Sequence, residues 1–276
     1  MTTTVQSVTD LFNTDDAADL GIKDDTSKIM IANLNATTLP MCVGVPIQTI
    51  ETEDVIIMFF CIDRSPSMKD VRDVLIETFN EVMIDGLRGA SKKTTKTIII
   101  GGLSFSSDIT PLWGGGFKRL EDLPYLTHAD YDPEAGSATN QYQAQVYAIT
   151  AACAQATDVF SQTGTPPKVI IVGLGDGADN VGRAKASSVK TLVDGLSREL
   201  FQFPFAVFET WEKVDGRKIA KDTGFDVFEF KKVAGETTED IQRRFRHMIG
   251  TLSSQVISGS LKTVGTPTTG GFWDQS

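Results

Sequence analysis

Eight consecutive apolar residues, Val55 to Ile62, run without polar alternation into Asp63-Arg64-Ser65-Pro66-Ser67. A half-buried strand alternates, so an unbroken run of this kind predicts a strand covered on both faces, which belongs to the centre of a layered α/β domain. The abrupt change from apolar to oxygen-bearing side chains falls where that strand must end. Open α/β sheets bind their ligands at the carboxyl ends of their strands. Asp63, Ser65 and Ser67 offer only oxygen, which suits a hard cation such as Mg²⁺. The local alternative is a turn that caps the next helix, with Ser67 as N-cap and Asp70 three residues on.

The pattern after Asp63 alternates in the same way. Asp70–Leu87 reads as a helix with Val71, Val74, Leu75, Phe79, Val82 and Met83 on its apolar side, and Thr97–Phe105 as a second strand. A loop-rich stretch containing Gly114-Gly115-Gly116 follows. Next come an alanine-rich helix over Thr139–Phe160, a third buried strand over Lys168–Leu174 and a helix over Arg183–Leu200. Phe203–Phe208 reads as a strand, Ile219–Thr223 as a short helix, residues 224–230 as a turn and a fifth strand, and Glu239–Ser254 as the last helix. Strands separated by helices predict an α/β fold, doubly wound, with a mostly parallel central sheet flanked by helices on both faces.

Residues 1–51 differ in texture, being rich in Thr, Asp and Asn. They read as an N-terminal extension, either an arm that wraps the domain or reaches a partner, or a partly disordered leader. Leu39–Ile50 reads as an extended or edge segment, since Pro40 and Pro46 argue against a central strand. The domain proper is expected over 52–257, and 258–276 as a flexible tail ending in Phe272-Trp273-Asp274-Gln275-Ser276.

Composition narrows the function. A net charge of −10 argues against nucleic acid as the main partner, because phosphate binding needs a basic surface. The local cluster Arg243-Arg244-Phe245-Arg246 reads as the solvated face of the last helix. Three cysteines, Cys42, Cys61 and Cys153, at spacings that match no zinc or redox motif, point to a reducing compartment. With no basic, then apolar, leader and no apolar stretch long enough to cross a bilayer, a cytoplasmic location without membrane partners is expected.

Two further loops carry candidate ligands. The third strand ends Gly173-Leu174-Gly175-Asp176-Gly177, so Asp176 also lies just past a buried strand. Its plainer role is a turn aspartate before glycine. Two such aspartates on neighbouring strands repel unless a cation lies between them. Gly136-Ser137-Ala138-Thr139-Asn140 opens the alanine-rich helix and places Thr139 at or near its N-cap. The glycines of Gly173-x-Gly175-x-Gly177 lack dinucleotide-loop spacing, and Asp176 would oppose a pyrophosphate.

Taken in this order, the three loops resemble the metal-ion-dependent adhesion site of the von Willebrand factor A family. Leu103-Ser104-Phe105 and Ile219-Ala220-Lys221-Asp222-Thr223-Gly224-Phe225 are similar to further family segments. The resemblance implies a Rossmann-like fold. It also implies a Mg²⁺ site (Mn²⁺ or Ca²⁺ as alternatives) in which Ser65, Ser67 and Thr139 ligate directly while Asp63 and Asp176 act through water. One coordination position would remain for an Asp or Glu of a protein partner. Pro66 stands where glycine is usual, Gly175 where threonine is usual and Asp226 where a second glycine is usual. Gly175 is expected to loosen its loop. Intracellular members of the family often work beside AAA+ ATPases, or beside kinases and phosphatases in bacterial stress systems, and the chain looks similar to the stand-alone tellurite-resistance type. The alternative functions are a structural subunit of a bacterial or phage assembly, favoured by the N-terminal extension and the aromatic tail, and a metal-dependent phosphohydrolase with Asp63 as nucleophile. The phosphohydrolase lacks the second aspartate that chemistry needs at Ser65, and neither His128 nor His247 is spaced to serve a serine. An enzyme is therefore not expected.

Overall fold

The computed structural model describes residues 14–36, 54–135, 137–209 and 215–261. Two helices, α1 (Thr14–Asp19) and α2 (Asp24–Ala36), precede the first strand, β1 (Val55–Asp63). A 3-10 turn over Pro66–Val71 leads into α3 (Arg72–Thr78), a π-helical stretch over Phe79–Ile84 and α4 (Asp85–Ser91). Then come β2 (Thr97–Phe105), β3 (Ile109–Pro111), β4 (Lys118–Arg119), α5 (Gln141–Thr163) and β5 (Lys168–Gly175). The chain finishes with α6 (Ala186–Asp194), β6 (Phe201–Gln202), β7 (Pro204–Phe208), α7 (Gly216–Thr223), β8 (Asp226–Phe230) and α8 (Thr238–Leu261).

The sheet runs β3-β2-β1-β5-β7-β8, with β4 paired to β2 and β6 to β5. All pairings are parallel except those of β3 and β4 with β2. The expected doubly wound, mostly parallel α/β sheet is therefore present, with a short antiparallel margin that the sequence did not announce. Chain order reverses beside β1, because β2 lies on one side of it and β5 on the other. In register, Asp63 faces Phe105 of β2, and Ile62 faces Leu174 of β5.

Every residue of β1 is buried, and successive side chains enter opposite layers. Val55, Ile57, Phe59 and Cys61 pack with α1, α2, α5 and α6; Ile56, Met58, Phe60 and Ile62 pack with α3, α4 and α8. Phe60 meets Phe79 edge to face at 5.0 Å. Cys61 and Cys153 are free and buried, as small apolar residues are. Among the described residues no helix is long and apolar enough to cross a membrane.

Several boundaries differ from expectation for local reasons. The helix expected over Asp70–Leu87 is interrupted by its π-helical stretch, where the Asn80 side chain makes two bonds to the Leu126 backbone, at 2.9 and 2.8 Å. Pro204 has no N–H to give, so pairing with β5 lapses after Gln202 and resumes at Phe205. The helix expected to reach Leu200 stops at Asp194, before Gly195. A Cβ at Gly195 would lie 1.8 Å from Thr26 Oγ1, so only glycine lets α2 approach this closely. The basic cluster of α8 is only partly solvated. Arg243 and Arg246 are exposed, whereas Phe245 is buried and Arg244 is held by Glu236. The last helix also runs past both Ser254 and the expected tail boundary, to Leu261.

The N-terminal extension is a structural surprise where it is described. Leu20, Ile22, Met30 and Leu34 are buried in the same layer as α5. Lys23 anchors the segment through its N–H to the Gly195 carbonyl at 3.0 Å and its Nζ to the Asp194 carbonyl at 2.8 Å. Residues 14–36 are thus part of the core. The Leu39–Ile50 segment, Cys42, Gly136 and the tail from Thr263 with Phe272 and Trp273 lie outside the described residues.

Candidate metal centre

β1 delivers Asp63 to the carboxyl edge of the sheet, fully buried. The chain then folds back on that carboxylate: the Ser65 N–H donates to Asp63 Oδ1 at 2.7 Å. Ser65 is extended (φ −63°, ψ 160°), and Pro66 starts the 3-10 turn with its preset φ. Ser65 occupies the cap position but makes no side-chain capping bond, and Ser67 lies inside the turn. The capping alternative is therefore not realised. The two hydroxyls instead meet at 2.8 Å, and Ser67 Oγ donates a very short bond to Asp176 Oδ2. The Tyr131 hydroxyl secures the strand end by donating to the Asp63 carbonyl at 2.7 Å. Tyr131→Phe orphans that buried carbonyl. It is expected to cost about 1–2 kcal/mol in thermal unfolding and to weaken metal binding in calorimetry.

The other two loops are sewn to this one. The Asp176 N–H approaches Asp63 Oδ2 at 3.4 Å, and the Ala178 N–H donates to Asp176 Oδ1 at 3.0 Å. Thr139 is buried; its N–H donates to Asn180 Oδ1 at 2.7 Å, and its carbonyl accepts from the N–H groups of Asn180 and Val181. The Asn140 N–H donates to the Ser106 carbonyl at 2.8 Å, which ties the same loop to the end of β2. Asp63, Ser65, Ser67 and Asp176 are thus joined by direct hydrogen bonds. Thr139 is joined to them through the Asp176–Val181 loop. Asn140, not Thr139, is the residue before the first turn of α5. Asn180 and Tyr131 were missed as site residues. Asn180 lies four residues past Asp176 in the same loop, whereas nothing in the sequence pattern distinguishes Tyr131.

Gly175 tightens its loop, contrary to the loosening expected. A Cβ there would lie 2.8 Å from Asp63 Cβ, so glycine lets the two strand ends close on each other. Gly175→Ala is expected to displace the Asp63 carboxylate and weaken metal binding about tenfold, read by calorimetry, with a smaller loss of stability.

The site is electronegative, because two buried carboxylates meet in it. Burial first, and the Asp176 charge second, push the Asp63 carboxyl up to about 8, against the Ser65 N–H bond that favours its ionised form. Burial, then Asp63 and Asp176, likewise raise the Tyr131 phenol. Arg64 does not relieve the pair. Its guanidinium is taken by Asp108 Oδ2 at 2.6 Å and Thr110 Oγ1 at 3.1 Å. Among the described residues there is no cluster of three or more His, Cys, Asp or Glu. Carboxylates and hydroxyls suit a hard divalent ion. An octahedron with oxygens about 2.1 Å from Mg²⁺ has edges of about 3 Å, close to the Ser65–Ser67 hydroxyl spacing. The residues present fit the ion.

No family model and no curated protein matches the chain. Similar solved structures include a von Willebrand factor type A protein from Catenulispora acidiphila, at 18% identity and TM-score 0.41 over 72% of this chain and 42% of that one. The PilB minor pilin from Streptococcus sanguinis is similar at 11% identity and TM-score 0.45, over 79% of this chain and 65% of that one. Proximal thread matrix protein 1 from the mussel byssus, with a zinc-occupied MIDAS motif, is similar at 12% identity and TM-score 0.44, over 71% and 48%. The chain therefore spans between about two fifths and two thirds of the length of these proteins. What the chain's own strand order and site define is a Rossmann-like α/β domain with an oxygen-lined crevice beside its central strand.

Proposed function

We propose that this chain is a metal-dependent protein-interaction domain. Asp63, Ser65, Ser67, Thr139 and Asp176 hold a divalent ion, Mg²⁺ by donor chemistry, and an acidic side chain of a protein partner completes its coordination. The observation that carries this reading is the meeting of two buried carboxylates with two hydroxyls at the ends of β1 and β5, while the nearby Arg64 is engaged elsewhere. When bound, the ion neutralises the carboxylate pair and presents a local positive charge on an acidic protein. The chain's own task is positional: N–H groups of Ser65 and Asp176 orient Asp63, and Tyr131 fixes the strand end.

The domain binds rather than catalyses. His128 is exposed and paired with Asp73 at 2.9 Å, and the His247 ring packs against Phe230 at 5.8 Å, so each is engaged away from the oxygen cluster. An AAA+ ATPase, or a kinase or phosphatase beside a tellurite-resistance type of protein, is the partner class that the family resemblance points to, in the cytoplasm. Packing of residues 14–36 into the core removes part of the case for a structural subunit with a free arm. Pull-downs in Mg²⁺ and in EDTA, with the parent chain and Ser67→Ala, test the reading. Partner capture should require both the ion and Ser67; an identical captured set in all four arms contradicts it.

A further inference from the structure

A crevice of about 200 Å³ opens directly beside the oxygen cluster and shares Ser67 with it. Val71, Phe208 and Ile241 form its apolar wall. The space is smaller than the roughly 300–1,000 Å³ of small-molecule pockets and takes about one large side chain. Asp70, which also lines it, lies on the 3-10 turn that carries Ser67, so a carboxylate inside the crevice would be repelled. Arg244 is already engaged: its guanidinium lies 4.0 Å over the Phe208 ring and holds both Glu236 oxygens, at 2.6 and 3.0 Å. Lys232 differs. It is exposed, and among the described residues no ion pair engages its ammonium. Its N–H donates to Glu209 Oε2 at 2.6 Å, which fixes its backbone at the rim. Val233, the next residue, is 61% exposed, more than any other large apolar residue among those described.

Strand order sets these features in a row along the carboxyl edge of the sheet. Asp63 and Asp176 stand at the ends of β1 and β5, Phe208 ends β7, and Lys232 follows the end of β8 by two residues. Neighbouring strands lie about 4.8 Å apart, so β7 is about 7 Å and β8 about 12 Å from the midline between β1 and β5. An extended peptide turns alternate side chains to one face, so residues i+2 and i+4 fall about 7 and 13 Å from residue i. The two sets of spacings agree.

We propose that the crevice and Lys232 select the partner by the residues that flank its coordinating carboxylate. The recognised segment is extended and reads acidic-x-apolar-x-acidic. One Asp or Glu meets the ion, a large apolar side chain two residues away fills the crevice, and a second Asp or Glu two residues beyond pairs with Lys232. This rests on the metal reading above. The pattern is the same in both chain directions, so either acidic residue can take the ion. The ion attracts carboxylates in general; the crevice and Lys232 decide which acidic segments are held.

The test titrates a heptapeptide blocked at both ends, Gly-Asp-Thr-Phe-Thr-Asp-Gly, into the full chain by calorimetry in saturating Mg²⁺ and in EDTA. One-to-one binding is expected in Mg²⁺ alone. Replacing the peptide's Phe by Ala should weaken it about tenfold, the effect of burying one large apolar side chain. Replacing one Asp by Asn should weaken it about threefold, as the loss of an exposed ion pair does. Lys232→Glu should abolish the advantage of the second Asp, and Ile241→Trp, which fills the crevice, the preference for Phe over Ala. Lys232→Glu should bind Mg²⁺ as the parent does. A parent that binds Mg²⁺ but not the peptide, or binds the Phe and Ala peptides equally, overturns the segment proposal and leaves the metal site standing. Self-association in Mg²⁺ that Lys232→Glu abolishes, without uptake of the peptide, overturns it in favour of a second copy of the chain. A parent that binds no Mg²⁺ overturns the metal reading and the segment proposal together.

Discussion

Asp63→Asn should lose metal binding by at least about a hundredfold while making the metal-free chain more stable. The two effects oppose each other because one side chain serves both. Asp63 is fully buried beside Asp176, and its carboxyl is raised from 3.8 to about 8 by burial and by that neighbour. A group whose folded value lies above its unfolded one binds its proton in the native state through that interval. The contribution of Asp63 to the stability of the metal-free protein is therefore fully present below about 4 and is lost as pH rises towards 8. Asparagine keeps an oxygen for the Ser65 N–H and removes the charge. A gain on the order of 1–3 kcal/mol at pH 8 is expected, together with loss of the pH slope over this interval. For a chain of this size that is roughly 2–4 °C per kcal/mol in melting temperature. Mg²⁺ should stabilise the parent more at pH 8 than at pH 5, because the ion needs the ionised carboxylate. Melts at both pH values, with and without Mg²⁺, check this. A parent whose slope matches that of Asp63→Asn contradicts it.

The second large effect concerns the N-terminal helices. Met30→Ala and Leu34→Ala each remove a side chain buried in the layer shared by α2 and α5, at an expected cost of about 2–5 kcal/mol. Gly195→Ala attacks the same contact from the other side, since its Cβ has no room beside Thr26. All three should lower the melting temperature of the whole domain in one transition. If residues 14–36 were an independent arm, the main transition would not move. The helices α1 and α2 also account for an oddity of α5. Residues Ala148 to Ala152 are all buried, and a helix buried all round must be covered on a second side. That signal was present in the alanine-rich sequence.

The central layer was legible because its physics is local to the pattern. Val55–Ile62 cannot satisfy a one-sided sheet, and Thr97–Phe105 was placed to the residue. The positions of Asp63 and Asp176 follow from where their strands stop. What stayed hidden depends on contacts distant in sequence. Tyr131 reaches Asp63 from 68 residues away. The antiparallel β3 and β4 were too short, and too rich in glycine and proline around them, to show a period. The N-terminal helices carry their apolar residues sparsely among Asp, Asn and Thr, and only the surface they cover reveals the match. Gly175 was read from its neighbours as a loosening residue, whereas the Asp63 side chain packed against it decides its role.

Calorimetric titration of Mg²⁺ into the full chain at pH 8, beside Ser67→Ala, tests the central claim most directly. Saturable one-to-one binding in the parent is expected, with a matching rise in melting temperature, and binding at least about tenfold weaker in the variant. A parent that shows neither heat nor added stability at millimolar Mg²⁺ or Mn²⁺, or a Ser67→Ala chain that binds as the parent does, contradicts the account.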